Sequence, residues 1–237
     1  MPFTAARHPI ATLVFSLLVS TALPGHAQPD EKKDFSQAER LLFMTNQLTQ
    51  LRPPTVLRYS FRKSGSMEEG FEDSVSIALS KLPDGTCCNG VGDFLTGARK
   101  LKLPEVPAAE GNPVILYFLE HDVREMQRLT KGSQYHFRKR IRMAVYQAAQ
   151  VRDVSMAYRG KTIKGTEVEI SPYLDDPNRS RYEALAVKQY VFMLSDAVPG
   201  GVYGIRTRIG APSQPAALIA EELYVEGAEP APRKTTP

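Results

Sequence analysis

The chain has 237 residues, with 30 Lys plus Arg against 26 Asp plus Glu, and its formal net charge of +4 is too weak a field to argue by itself for a nucleic-acid binder. Hydrophobic residues at 42% and charged residues at 24% match ordinary globular usage, which excludes wholesale disorder and a polytopic membrane protein. Two cysteines exclude a disulfide-framed miniprotein and a four-cysteine zinc site.

Residues 1–27 have the form of a secretory signal peptide. Arg7 and His8 precede an apolar run over residues 10–23, and Gly25, His26 and Ala27 give a small-residue cleavage pattern before Gln28. The run is shorter than the roughly 20 residues a membrane-spanning helix needs. No Cys lies near the cleavage point to take a lipid. The expected product is a periplasmic or secreted chain without a permanent anchor. Its polar residues 28–34 are expected as a flexible lead-in, residues 35–225 as a single α+β domain, and the Pro-rich residues 226–237 as a disordered tail.

Residues 35–51 read as a helix, with Ala38, Leu41, Leu42, Thr45 and Leu48 on one stripe and Pro53-Pro54 as the stop. Leu57, Tyr59 and Phe61 then alternate with Arg58, Ser60 and Arg62, and Val75, Ile77 and Leu79 alternate with Ser74, Ser76, Ala78 and Ser80. That period of two predicts an antiparallel hairpin with one apolar face. Residues 81–111 are rich in Gly and Pro, with short strands expected at 91–95 and 99–103. Asn112-Pro113 is a helix start, followed by an apolar seam of Leu116, Leu119, Val123 and Met126. Gly132 is expected to end this helix and Ser133 to open another, with Phe137, Ile141, Val145 and Ala148 inward. The period of two returns at Val154, Met156 and Tyr158, turns at Arg159-Gly160, and continues to Ile170. Residues 182–194, 202–209 and 218–225 supply the remaining strands, and their short connections predict antiparallel pairing.

Few residues carry recognisable chemistry. Cys87-Cys88 could form a vicinal disulfide in an oxidising compartment or remain as thiols in a loop. Glu120-His121-Asp122 with Glu125 one turn later is the best acid/base constellation, although helix surfaces carry such pairs as salt bridges. Asp175-Asp176-Pro177-Asn178 suits a charged turn better than a hard-cation loop. Gly-x-Ser-x-Gly, His-Glu-x-x-His and the P-loop pattern do not occur. No metal or cofactor is expected. Arg138, Lys139, Arg140 and Arg142 alternate with Phe137, Ile141 and Val145 in an amphipathic segment, which could rest on anionic headgroups or cover a core.

The order of these elements resembles that of the LolA/LolB-like periplasmic lipoprotein-carrier half-barrels, in which helices plug an incompletely closed antiparallel sheet. The residues that carry it are the helix at 35–51, the strands at 56–62 and 75–79, and the late strands at 182–194 and 202–209. It is a resemblance of pattern and transfers no signature residue. Residues 111–142 are also similar to a stretch of bacterial exported proteins, which implies no activity. The half-barrel resemblance implies an α+β fold, a curved antiparallel sheet against an N-terminal helix and a central helical pair. It further implies a cavity lined by Leu57, Tyr59, Phe61, Val75, Ile77 and Leu79, with Arg58, Arg62, Arg138 and Arg142 as headgroup or membrane contacts. The expected function is a periplasmic, non-enzymatic carrier of a lipid or other apolar ligand, with an anionic membrane or an envelope protein as possible partner and no nucleic acid. An envelope protein-interaction module with a filled core is the alternative; an exported enzyme centred on His121 and Glu125 is the third.

Overall fold

Alternation in the first half of the chain produces the hairpin. In the computed structural model, which describes residues 34–210 and 216–230, β1 (Thr55–Ser64) and β2 (Phe71–Lys81) pair antiparallel with Leu57 opposite Ile77 and Tyr59 opposite Val75. The expected signal peptide, nearly all of the expected lead-in, and residues 231–237 of the expected tail lie outside the described residues. β3 (Cys87–Phe94) joins the far side of β2, then come two helices, α2 (Pro113–Thr130) and α3 (Gln134–Gln147), and the strands β4 (Gln150–Tyr158), β5 (Lys161–Ile170), β6 (Gln189–Leu194), β7 (Val202–Ile209) and β8 (Ile219–Val225). All pair antiparallel into an eight-stranded sheet of order β3-β2-β1-β8-β7-β6-β5-β4. The first and last strands meet mid-sheet, with Phe61 opposite Leu223, and β3 and β4 remain as separate edges, so the sheet is open. The α+β class and the antiparallel sheet are as expected.

The helices follow their caps. α2 (Pro113–Thr130) starts where Asn112 Oδ1 accepts the Val114 amide, with Pro113 at a position that needs no donor. α3 spans Gln134–Gln147 after Ser133, which stands at the N-cap position as expected but makes no side-chain cap hydrogen bond. Lys131, rather than Gly132, takes the left-handed conformation that ends α2. Gly132 serves packing instead, because a Cβ there would stand 2.8 Å from the Phe137 ring. None of the described helices is long and apolar enough to cross a membrane.

Several boundaries differ from the sequence pattern. The N-terminal helix is only α1 (Gln37–Glu39) plus one wider turn, Arg40–Met44. Ser36 and Glu39 cap each other's amides reciprocally, but Thr45 turns extended and bonds back to the Arg40 carbonyl, and Asn46 Oδ1 takes the Leu48 amide. Side chains that compete for nearby backbone groups stop the helix before its apolar stripe ends. The strand expected over 182–194 begins only at Gln189; Arg179–Arg181 and Glu183–Leu185 are short 3-10 turns tied to Asp176. The strand expected at 99–103 reduces to a bridge between Phe94 and Leu101. The start of the expected tail is paired: Glu226 donates its amide to Arg58, and Glu229 donates to Ala157.

Apolar side chains on the inner face of the sheet and on α2 and α3 form one buried cluster. α2 lies across this face, with Phe118 against Phe94 and His121 against Phe61. Its approach to β3 requires Gly92, where a Cβ would sit 1.9 Å from the Tyr117 ring. Charges go down with the helix. Asp122 is 0% exposed and accepts hydrogen bonds from the Lys188 ammonium and the Tyr190 hydroxyl, whose own oxygen lies 3.1 Å from Tyr173. Removing one partner of such a buried pair strands the other, at a cost of about 3–5 kcal/mol. Lys188→Met is therefore expected to lose about that much unfolding free energy in urea titration, and Lys188→Met with Asp122→Leu to recover most of it. A Lys188→Met protein within about 1 kcal/mol of wild type would contradict this role.

Candidate functional site

The expected ligand-lining residues Leu57, Tyr59, Phe61, Val75, Ile77 and Leu79 do share one face, and all are buried. That face is filled. α2 rests on it, and Asn112 Nδ2 donates to the Tyr59 hydroxyl 2.7 Å away. These residues line neither of the clefts described next. The reason is the amphipathic α2, whose Val114, Ile115, Phe118 and Met126 are themselves buried.

One cleft, of about 780 Å³, opens where the inner face continues beyond the helices toward β4 and β5. Here the alternation places Asp153, Ser155 and Thr166 inward, and these, with Thr45, Gln47 and Lys164, share the wall about equally with apolar residues such as Leu41, Val154, Ile163 and Leu194. An acyl chain lying here would also cover polar groups, which would lose water without regaining hydrogen bonds.

Another groove, of about 600 Å³, lies on the other side of the helices, between the turn after α1, residues 103–106, α2 and α3. Its wall is apolar: Phe43, Leu103, Val106, Leu116, Leu119 and Ile141. Leu116 is 48% exposed and Phe43 40%. The apolar seam read on α2 is thus divided. Val123 and Met126 are buried, while Leu116 and Leu119 face the groove, because the side turned to the sheet is set by Ile115, Phe118 and Asp122. Groove-facing leucines and core-facing leucines have the same spacing, so only the packing of the rest of the helix tells them apart.

The groove carries charge at its rim. Glu120 Oε1 accepts from Arg124 at 3.1 Å, and both Glu120 oxygens accept from Arg138 at 2.9 Å. Arg142, one turn further along α3, is exposed and has no hydrogen bond or ion pair among the described residues. Of the expected headgroup contacts, Arg138 and Arg142 therefore meet at this groove. Arg58 and Arg62 do not join them: they project from the outer side of β1, and Arg62 reaches only a distant Glu72 at 3.9 Å.

The expected acid/base pair is not a pair. His121 points into the core, where Nε2 lies 3.2 Å from Glu221 Oε1 on β8. Glu125 accepts from Lys63 at 2.9 Å and Arg128 at 2.8 Å, and with His121 it borders a small pocket of about 340 Å³. Nothing local could have announced Glu221, which is 100 residues from His121. Burial alone would raise the Glu221 pKa, but His121, Lys188 and Lys63 together hold it at about 2. Glu125 also lies below the ordinary range, because burial is outweighed by hydrogen bonds from Arg128 and Lys63. Asp176 is occupied likewise, accepting from the Asn178 amide and Tyr182 and lying 2.6 Å from His136 Nε2. Cys87 and Cys88 are joined as a disulfide at the start of β3, with Cys88 buried. No set of three or more His, Cys, Asp or Glu among the described residues is arranged to hold a metal ion.

Fold and site together define an α+β protein with an open antiparallel sheet filled by helices on its inner face and an apolar groove on the helical side. No protein-family model and no curated protein matches the chain. Among solved structures, the crystal structure of the Mycobacterium tuberculosis lipoprotein LppX is similar with a TM-score of 0.31 and 8% identity, over 76% of this chain and 90% of that one.

The buried Glu221 gives a pH prediction. Its pKa in the fold, about 2, lies below the ordinary glutamate value of about 4.3, so its stabilising contribution is complete above that ordinary value and is lost as pH falls toward 2. Glu221→Gln is expected to flatten the acid limb of a stability profile measured by denaturant titration from pH 6 to pH 2.5. An acid limb of unchanged steepness in the variant would refute the assignment.

Proposed function

We propose that the chain is an exported, non-enzymatic binding or carrier protein for a lipid or other apolar ligand, and that it holds this ligand in the groove between α2, α3 and residues 103–106. The observation that carries the reading is the apolar wall itself. Its volume of about 600 Å³ falls within the range of about 300–1,000 Å³ usual for ligand sites. Large side chains such as Leu116 and Phe43 stand partly in water there, at a helical surface where charged residues would cost nothing.

The energetics suit transport. Leaving water gains about 0.8 kcal/mol per buried methylene. Moving the same chain from a bilayer into an equally apolar groove gains almost nothing, so loading and release stay reversible. An anionic membrane surface is the partner this reading prefers, with Arg138 and Arg142 as the cations bordering the groove that would meet it before a ligand is loaded. The half-barrel carriers supply the analogy of element order. The filled inner face supports a second reading, an envelope interaction module that lays a partner's apolar helix in the same groove.

Displacement of an environment-sensitive apolar fluorophore from the purified full-length protein tests the proposal. Leu116→Glu keeps the core intact and is expected to weaken fluorophore binding about tenfold or more, in line with losing a contact of about 1.5 kcal/mol or more. Equal binding by Leu116→Glu and wild type, or no saturable binding by wild type, would defeat it. Capture of a protein by the groove with no lipid in organic extracts would favour the second reading.

A further inference from the structure

Granting that the groove holds an apolar molecule, we infer that its ligand is a single-chain amphiphile with one negative charge, a long-chain carboxylate, whose head group is read by Arg142. The argument begins with the charges that border the groove. They are Glu39, Glu120, Arg124, Arg138 and Arg142. Glu120 is already shared by Arg124 and by the two-pronged contact of Arg138, and the Glu39 carboxylate accepts the Ser36 amide at 2.9 Å. Arg138 donates further to Gln134 Oε1 at 2.8 Å. These groups satisfy one another in the empty groove. Arg142 alone among the bordering arginines has no partner among the described residues.

Position and charge then narrow the head group. Arg142 follows Ile141, which forms part of the apolar wall, so an acyl chain lying on Ile141, Leu116 and Leu119 brings its polar end to the guanidinium. A carboxylate matches that planar fork with two parallel hydrogen bonds. A phosphate monoester carries about −1.5 to −2 at pH 7, and among the described groove residues its second charge would find only arginines already engaged with Glu120. An alcohol gains no ion pair, and an ammonium head would be set against Arg142. The groove therefore selects sign and magnitude of charge as well as hydrophobicity.

The test uses purified full-length protein and four probes of one chain length, dodecanoate, dodecanol, dodecyl phosphate and dodecylamine, each below its micellar concentration, displacing the same apolar fluorophore. Wild type is expected to bind dodecanoate about tenfold more tightly than dodecanol, the usual scale of a hydrogen bond to a charged group. Dodecyl phosphate should fall below dodecanoate and dodecylamine should be weakest. Arg142→Gln should reduce dodecanoate affinity to that of dodecanol and leave dodecanol unchanged, which also reports that the variant is folded. Arg142→Lys should keep part of the preference. Equal affinity for dodecanoate and dodecanol in wild type, or a preference that survives Arg142→Gln, would overturn the assignment of the head group while leaving the groove as an apolar site. Failure of all four probes to bind would overturn the apolar site and the head-group assignment together.

Discussion

The placement of α2 depends on charges that the sheet must meet in its own interior. Asp122 and His121 are neighbours on a helix that lies across an apolar sheet face, and an unpaired charge in that position would be prohibitive. Lys188, just before β6, and Tyr190, within it, answer Asp122, and Glu221 answers His121 from β8, with Lys63 of β1 3.9 Å from the same carboxylate. A rotation or a one-residue slide of α2 would strand several buried polar groups at once. The net gain from such a network is small, because desolvation offsets attraction; its effect is to make alternative packings costly.

That fixed orientation determines which helical surface is left for function. With Ile115, Phe118 and Asp122 committed to the sheet, Leu116 and Leu119 emerge toward α3 and residues 103–106, and the arginines of α3 border the same space. The inner face of the sheet, where a half-barrel would keep its cavity, is closed by aromatic contacts such as Phe94 with Phe118. Its end near β4 and β5 opens to a cleft lined by polar and apolar residues alike. The more apolar of these two openings is the helical groove, and the binding reading follows it.

Local patterns in the sequence made part of this legible. The alternation at Leu57, Tyr59 and Phe61 foretold β1 and its buried face, and Asn112-Pro113 foretold the start of α2 to the residue. What stayed hidden was whatever depends on distant partners. Spacing cannot show that His121 is oriented by Glu221 rather than by Glu125, or that Arg62 faces away from the helices while Arg138 borders the groove. Thr45 and Tyr182 misled for a different reason: each looks compatible with a regular element until its hydroxyl takes a local partner, Arg40 in one case and Asp176 in the other. Candidate ligand residues chosen from strand periodicity were accordingly correct about burial, while the groove, assembled from segments distant in sequence, was visible only through Arg138 and Arg142.

The central claim is that the helical groove, and not the sheet interior, receives the acyl chain. Photo-crosslinking with a diazirine-bearing acyl probe, followed by mass mapping of the modified peptides, reads the location directly. Adducts on Leu103, Leu116, Leu119 or Ile141, competed away by unlabelled ligand, are the predicted result. Adducts confined to Asp153, Ser155 and Thr166, or labelling that unlabelled ligand does not reduce, would contradict it.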